Sequence, residues 1–188
     1  MTRRDRFDGQ FDHVLAAAHT GAPWAYERIF TALAPVVEGY LRTQGAAEPE
    51  DVTSEVFLAV FRNLGTFAGD EAGFRAWVFT IAHRRLMDAR RAAGRRPRPD
   101  PLMEADLRPA PDDVEGAVER RLADEQVQDL CNRLLPGQRD VLLMRILGRL
   151  TVDEVAVALG KSPGAVKALQ RRGLQAIARM IEREGVPL

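Results

Sequence analysis

The side chains with chemical potential in this sequence are mostly cations. In SPGAVKALQRRGLQAIAR, residues 162–179, Lys167, Arg171 and Arg179 recur at helical spacing, with Arg172 beside them. Lys and Arg in such a row hold phosphates and read guanine edges. A second set, Arg84, Arg85, Arg90, Arg91, Arg95, Arg96 and Arg98, follows the aromatic residues Phe74, Trp77 and Phe79 and meets only Asp88 as an opposing charge. Rings that stack on bases and cations that follow phosphates suit single-stranded nucleic acid. Acid–base or metal chemistry finds little here. His83 and Asp88 are five residues apart and fall on different helix faces. His13 and His19 are six apart and do not share a face either, a poor metal pair. Cys131 is the only cysteine, so no disulfide within the chain and no multi-cysteine zinc site is expected. No Gly-rich phosphate loop is present. Neither catalysis, nor a cofactor, nor a metal is expected.

These cations need helices to present them. Nearly every segment has the 3.6-residue period and none alternates for long, so the expected fold class is all-α. Phe11 to His19 reads as a short helix closed by Gly21. Pro23 opens the next, and Pro35 is expected to kink or break it. Pro49, with acids around it, starts a helix that ends at Gly65. The loop GTFAGDEAG, residues 65–73, leads to FRAWVFTIAHRRLMDARRA, a long helix that grows steadily more basic. Near the C-terminus, Thr151 and Glu154 form a capping box, Gly160 makes the turn, and Ser162 with Pro163 starts a further helix. On that helix Val166, Leu169, Gly173, Ile177 and Met180 share one side. Gly164, Lys167, Ala168, Arg171, Gln175 and Arg179 share the other, with Arg172 at its border. A tight turn followed by small residues and cations outward is the layout of a helix-turn-helix in a DNA major groove.

The formal net charge is zero, with 27 basic and 27 acidic residues, but charge is distributed in blocks. After the arginines of 84–98 come Asp100, Glu104, Asp106, Asp112, Asp113, Glu115, Glu119, Asp124 and Glu125, against Arg108, Arg120 and Arg121. RPRPDPLMEADLRPAPDD lacks periodicity and reads as a flexible, acidic, Pro-rich linker. Asp112 or Asp113 is expected to cap a helix carrying Val114, Val118, Leu122, Val127, Leu130 and Leu134. Two small helical domains follow from this, 1–96 and 113–188, joined by 97–112. No apolar run reaches transmembrane length, and MTRRDRFDGQFD lacks a secretory pattern, so a cytoplasmic protein without membrane insertion is expected.

In DVTSEVFLAVFRNL, Val52, Val56, Phe57, Val60, Phe61 and Leu64 cover about half the helix circumference. Leu58 falls outside that arc, among Ser54, Glu55 and Arg62. Such a helix either sits at the centre of a core or docks a partner as well.

EPEDVTSEVFLAVFRNLGTF, FRAWVFTIAHRRLMDARR and LLPGQRDVLLMRILGRLTVDEVAVALGKSPGAVKALQRR, in that order, resemble the extracytoplasmic-function group of bacterial RNA polymerase sigma factors. The resemblance implies an N-terminal region 2-like domain that docks core polymerase and reads the melted minus-ten element. It implies a C-terminal region 4-like domain that reads the minus-thirty-five duplex. Asp51, Ser54, Glu55, Leu58 and Arg62 correspond to the family's docking surface for the β′ clamp helices. The loop and basic helix, through Thr66, Phe67, Asp70, Phe79, His83, Arg84, Arg90 and Arg91, correspond to the minus-ten reader. Ser162, Gly164, Ala165, Lys167, Ala168, Arg171, Arg172 and Gln175 correspond to the minus-thirty-five reader. Ser54 stands where the family commonly has glutamine, and Ala168 and Leu169 where serine and arginine are frequent. Implied partners are core RNA polymerase, through β′ clamp helices and β flap, promoter DNA as duplex and single strand, and an anti-sigma factor. The alternative is a stand-alone helix-turn-helix transcriptional regulator, which requires a ligand pocket or phosphoacceptor in residues 1–96. A further expectation is intramolecular: the acidic tether masking the arginines of residues 84–98.

Overall fold

The computed structural model describes residues 6–93 and 128–184. Among them every regular element is helical. They are α1 (Phe11–His19), α2 (Pro23–Thr43), α3 (Pro49–Asn63), a 3-10 turn (Leu64–Thr66), α4 (Glu71–Ala93), α5 (Pro136–Ile146), α6 (Val152–Leu159) and α7 (Pro163–Glu184). Residues 128–132, ahead of α5, are also helical. The tether and the helix start at Asp112 or Asp113 lie outside the described residues, as do the junctions of the expected domains.

The first unit is built around α3, which packs between α2 and α4. Val52, Val56, Phe57 and Val60 of α3 are buried against Ile29, Leu33, Val37 and Leu41 of α2 and Phe74 and Val78 of α4. Each such side chain contributes about 1.5–3 kcal/mol on burial. Phe11 of α1 reaches the same core, 5.5 Å from Phe74 between ring centroids.

Of the two outcomes expected at Pro35, a kink or a break, the break does not occur. Pro35 lies inside α2, which runs unbroken to Thr43. Proline removes one backbone donor and crowds the preceding turn, at about 3 kcal/mol. Pro35 itself is exposed, so the orphaned carbonyl side of the turn faces water, while Leu33, Ala34 and Val37 around it are buried and hold the helix together.

The second unit packs α5 and α6 against α7. Thr151 caps α6: its hydroxyl accepts from the Glu154 amide, and the Glu154 carboxylate accepts from the Thr151 amide. Gly160 ends α6 at φ +61°, a left-handed conformation that glycine adopts without a steric penalty. The Ser162 hydroxyl then accepts from the Ala165 amide at 3.2 Å and starts α7. Val166 is fully buried, which fixes the rotation of α7.

Gly173 sets the distance between α5 and α7. A Cβ there would lie 2.8 Å from Leu142 Cδ1 and 3.3 Å from Gln138 Cβ. Gly173→Leu is therefore expected to cost about 1–3 kcal/mol by overpacking, despite the better helix propensity of leucine, and to lower the melting temperature of the second unit. Unchanged melting would show that the two helices separate freely.

The units do not stand apart. One continuous hydrophobic core runs from Phe7 to Val166, and α4 lies along α6. Among the described residues no helix is long and apolar enough to cross a membrane.

Candidate nucleic-acid interface

The helix-turn-helix presents its cations as the α7 periodicity requires. Ser162, Gly164, Ala165, Lys167, Arg171, Arg172 and Gln175 are exposed and Ala168 is half-buried, while Val166 and Gly173 face inward. Small residues over the first turn of α7 permit close approach to a groove wall. Lys167, Arg171 and Arg172 follow within the next two turns. The Ser162 hydroxyl has a structural task already, as the helix cap.

On α3 the apolar arc faces the core and a narrower strip faces out. Asp51, Ser54, Glu55 and Arg62 are exposed, and Leu58 among them is 54% exposed. The helix is central in its core, and it also leaves Leu58 as an exposed apolar residue within a charged rim.

The loop and α4 divide differently from expectation. Thr66 and Asp70 are exposed. Asp70 Oδ1 accepts from the Gly73 amide at 2.8 Å, so Asp70 caps α4, which begins at Glu71, inside the expected loop. The Thr66 hydroxyl donates to the Asn63 carbonyl at 2.7 Å. Phe67 is half-buried, stacked on Trp77 with centroids 5.3 Å apart. Trp77, with Ile81 and Arg84 of α4 and Asp153, Glu154 and Val157 of α6, lines a cleft of about 610 Å³ between the units. Trp77 is half-buried: it packs against the core and also walls this cleft.

Phe79 requires a correction. It was expected on the nucleic-acid face but is fully buried. The Tyr40 ring meets it edge-on at 5.4 Å. From the second unit Gly148 approaches so closely that a Cβ there would lie 3.2 Å from Phe79 Cδ1. His83, expected on a solvated or DNA-facing surface, is half-buried beside it, with Nδ1 3.0 Å from the Tyr40 hydroxyl. Arg90 donates to the Gln44 carbonyl and to Gln44 Oε1. Arg84 and Arg91 remain exposed, Arg91 paired with Asp88 at 2.9 Å. The second unit thus covers part of the face that the α4 pattern assigned to DNA. Gln44 and Asp140, which join the units at 2.8 Å, carry no local signal in the sequence.

His83 makes this contact sensitive to pH. Burial lowers its pKa first; Asp140 opposes that shift, while Arg90 and Lys161 add to it. Burial also holds the Tyr40 phenol protonated, far above its ordinary range, and a neutral imidazole protonated on Nε2 accepts from that hydroxyl. The packed state therefore favours neutral His83. Its contribution is intact above pH about 6.5, the ordinary histidine value, and is lost as pH falls below it. Energy transfer between dyes on the two units is expected to decline between about pH 7 and 5.5, and His83→Gln to flatten that decline. A profile identical in both proteins would assign the pH response elsewhere.

Residues 29–96 match the family Sigma-70 region 2, and residues 124–177 match Sigma-70, region 4. The chain is 34% identical over 136 residues to the ECF RNA polymerase sigma factor ShbA of Streptomyces griseus, covering 71% of each chain. The chain belongs to the ECF sigma factors of RNA polymerase. As a sigma factor it directs the polymerase to promoters. The ECF sigma factor BldN of Streptomyces coelicolor is 32% identical over 166 residues, 87% of this chain, which spans 63% of the length of BldN. Among solved structures, the sigma factor RpoE of Bartonella quintana, in complex with the anti-sigma factor NepR, has the same fold. Its TM-score is 0.61 at 14% identity, covering 84% of this sigma factor and 96% of that chain.

Proposed function

We propose that this sigma factor holds core RNA polymerase through α3 and promoter DNA through two separate surfaces. Asp51, Ser54, Glu55, Leu58 and Arg62 meet the β′ clamp helices, with Leu58 as the apolar centre of a charged rim. The helix-turn-helix unit meets the β flap and sets α7 into the minus-thirty-five major groove. Lys167, Arg171, Arg172 and Gln175 are the side chains placed for phosphates and base edges, with Gly164, Ala165 and Ala168 allowing close approach. Thr66, Phe67, Asp70 and Arg84, with Arg91, meet the melted minus-ten strand. A flipped base costs a few kcal/mol to extrude, and the Phe67–Trp77 stack beside the loop offers an aromatic wall to recover it. The protein works as a regulatory subunit in the cytoplasm and catalyses nothing itself. An anti-sigma factor is its proposed inhibitor, by analogy with the RpoE–NepR complex.

The observation that carries this reading is the α7 geometry. A capped helix follows a left-handed turn with Val166 fully buried and Lys167, Arg171 and Arg172 all exposed. The test is transcription from a promoter library by core polymerase with and without the chain, with start sites sequenced. Starts that share two upstream motifs at fixed spacing are expected only when the chain is present. The same starts with core enzyme alone, or none with the chain, would overturn the proposal.

A further inference from the structure

Three guanidinium groups from separate parts of the chain gather near the start of α4. Arg75 stands on α4 itself, with its side chain only 9% exposed. Its Nη1 donates to Glu71 Oε1 at 3.3 Å, and its buried Nε has no partner among the described residues. Arg6 is brought in by the aromatic core. Phe7 meets Phe11 at 5.2 Å between ring centroids, and Phe11 meets Phe74, the neighbour of Arg75, at 5.5 Å. Arg6 is anchored there: its Nη1 donates to the Ala32 carbonyl at 3.3 Å, and its own carbonyl accepts from Arg28 at 3.2 Å.

Arg149 comes from the turn between α5 and α6. Gly148 abuts Phe79, where a Cβ would lie 3.2 Å from Phe79 Cδ1. Phe79 is one turn beyond Arg75 on the same face of α4, so the turn lies over this end of the helix. Arg149 holds φ +53°, a left-handed conformation that favours glycine and strains an arginine. The electrostatics agree with the placement. Burial lowers the pKa of Arg6 first, and the like charges of Arg149 and Arg75 add to that, while Glu71 opposes them.

Three cations against the one carboxylate of Glu71 leave two positive charges over, together with a buried N–H that lacks an acceptor. Like charges held in a partly dry place repel. A compact anion with several acceptor oxygens is the complement, and guanidinium forks match phosphate oxygens in pairs. The recess favours a small ion over a nucleic-acid backbone, because Arg75 is buried, Arg6 is half-buried and Arg149 alone is exposed. We propose that Arg6, Arg75 and Arg149 form a binding site for a free diphosphate group, inorganic or carried by a nucleotide. The site is separate from α7 and from the outward strip of α3, so it stands or falls independently of the functions assigned to those surfaces.

The test uses calorimetry and melting of the full chain with inorganic pyrophosphate and with ADP, at an ionic strength matched by sodium chloride. Either probe is expected to bind and to raise the melting temperature, since a ligand of the folded state stabilises it. Tighter binding of one probe identifies the source of the diphosphate. Arg149→Gly is expected to melt no lower than wild type without ligand, because glycine fits the positive φ, yet to bind about tenfold more weakly or worse through loss of a charged hydrogen bond. Arg6→Gln is expected to weaken binding as well. Arg91→Gln, about 24 Å along α4 from Arg75, is expected to bind as wild type does. No binding of either probe to wild type, or equal binding to wild type and Arg149→Gly, would overturn the site. A loss in Arg91→Gln as large as in Arg149→Gly would reduce it to general charge attraction and overturn it too. A random DNA duplex that binds through Arg149 when neither probe does would assign the cluster to DNA and refute the small-anion site.

Discussion

Replacing Lys167, Arg171 and Arg172 together by alanine is expected to reduce binding to minus-thirty-five duplex by about 100-fold or more. Even the lower end of a base or phosphate contact, about 1 kcal/mol each, sums to about 3 kcal/mol. All three side chains are exposed, so the fold should be unaffected, because surface substitutions of this kind generally change stability by less than about 0.5 kcal/mol. The two readouts separate cleanly. Circular dichroism and melting temperature stay at wild-type values while duplex affinity falls. The salt dependence should also flatten, since each lost phosphate contact removes about one unit of slope. Unchanged affinity in the folded triple variant would mean that α7 is a solvated basic helix and no more.

The second large effect belongs to α3. Leu58→Asp is expected to weaken core-polymerase binding by about 30-fold or more, the size of a central interface residue worth about 2 kcal/mol or above. It should leave the isolated protein as stable as before, because Leu58 is 54% exposed and contributes little to the core. Val56→Asp, two residues away on the opposite side of the helix and fully buried, is the contrasting control: it should unfold the first unit by burying an unpaired charge. If Leu58→Asp melted the protein instead, the strip of α3 that faces out would be structural. If it left polymerase affinity intact, docking would lie elsewhere.

Much of this was legible in the sequence because the signals are local. Phe11 to His19 is helix α1 to the residue. Thr151 with Glu154, Gly160, and Ser162 with Pro163 act within a few residues of each other, and each does in the structure what its type and spacing imply. Leu58 was found because it broke an apolar arc. Where competing forces are non-local, the reading failed. Pro35 was expected to kink or break its helix; it does not break it, because the buried face of α2 outweighs one lost backbone bond. Asp70 extends α4 back into the expected loop, because a side-chain cap is indistinguishable in sequence from a loop acid. Phe79 was placed outward by its position on the aromatic-to-basic pattern of α4; that side is apolar-lined by Tyr40 and then roofed by the second unit. The hydrogen bond between Gln44 and Asp140 spans 96 positions, and no periodicity in either segment announces it. The tether between the units, legible as acidic and Pro-rich, lies outside the described residues.

The account centres on one chain holding a polymerase and a promoter at the same time through opposite units. The most direct measurement places a photo-crosslinking amino acid at position 58 in one protein and at position 171 in another, each assembled with core polymerase and promoter DNA. Position 58 is expected to capture the polymerase β′ subunit, and position 171 to capture duplex DNA upstream of the start site. Capture of DNA at position 58, or of protein alone at position 171, would contradict the account.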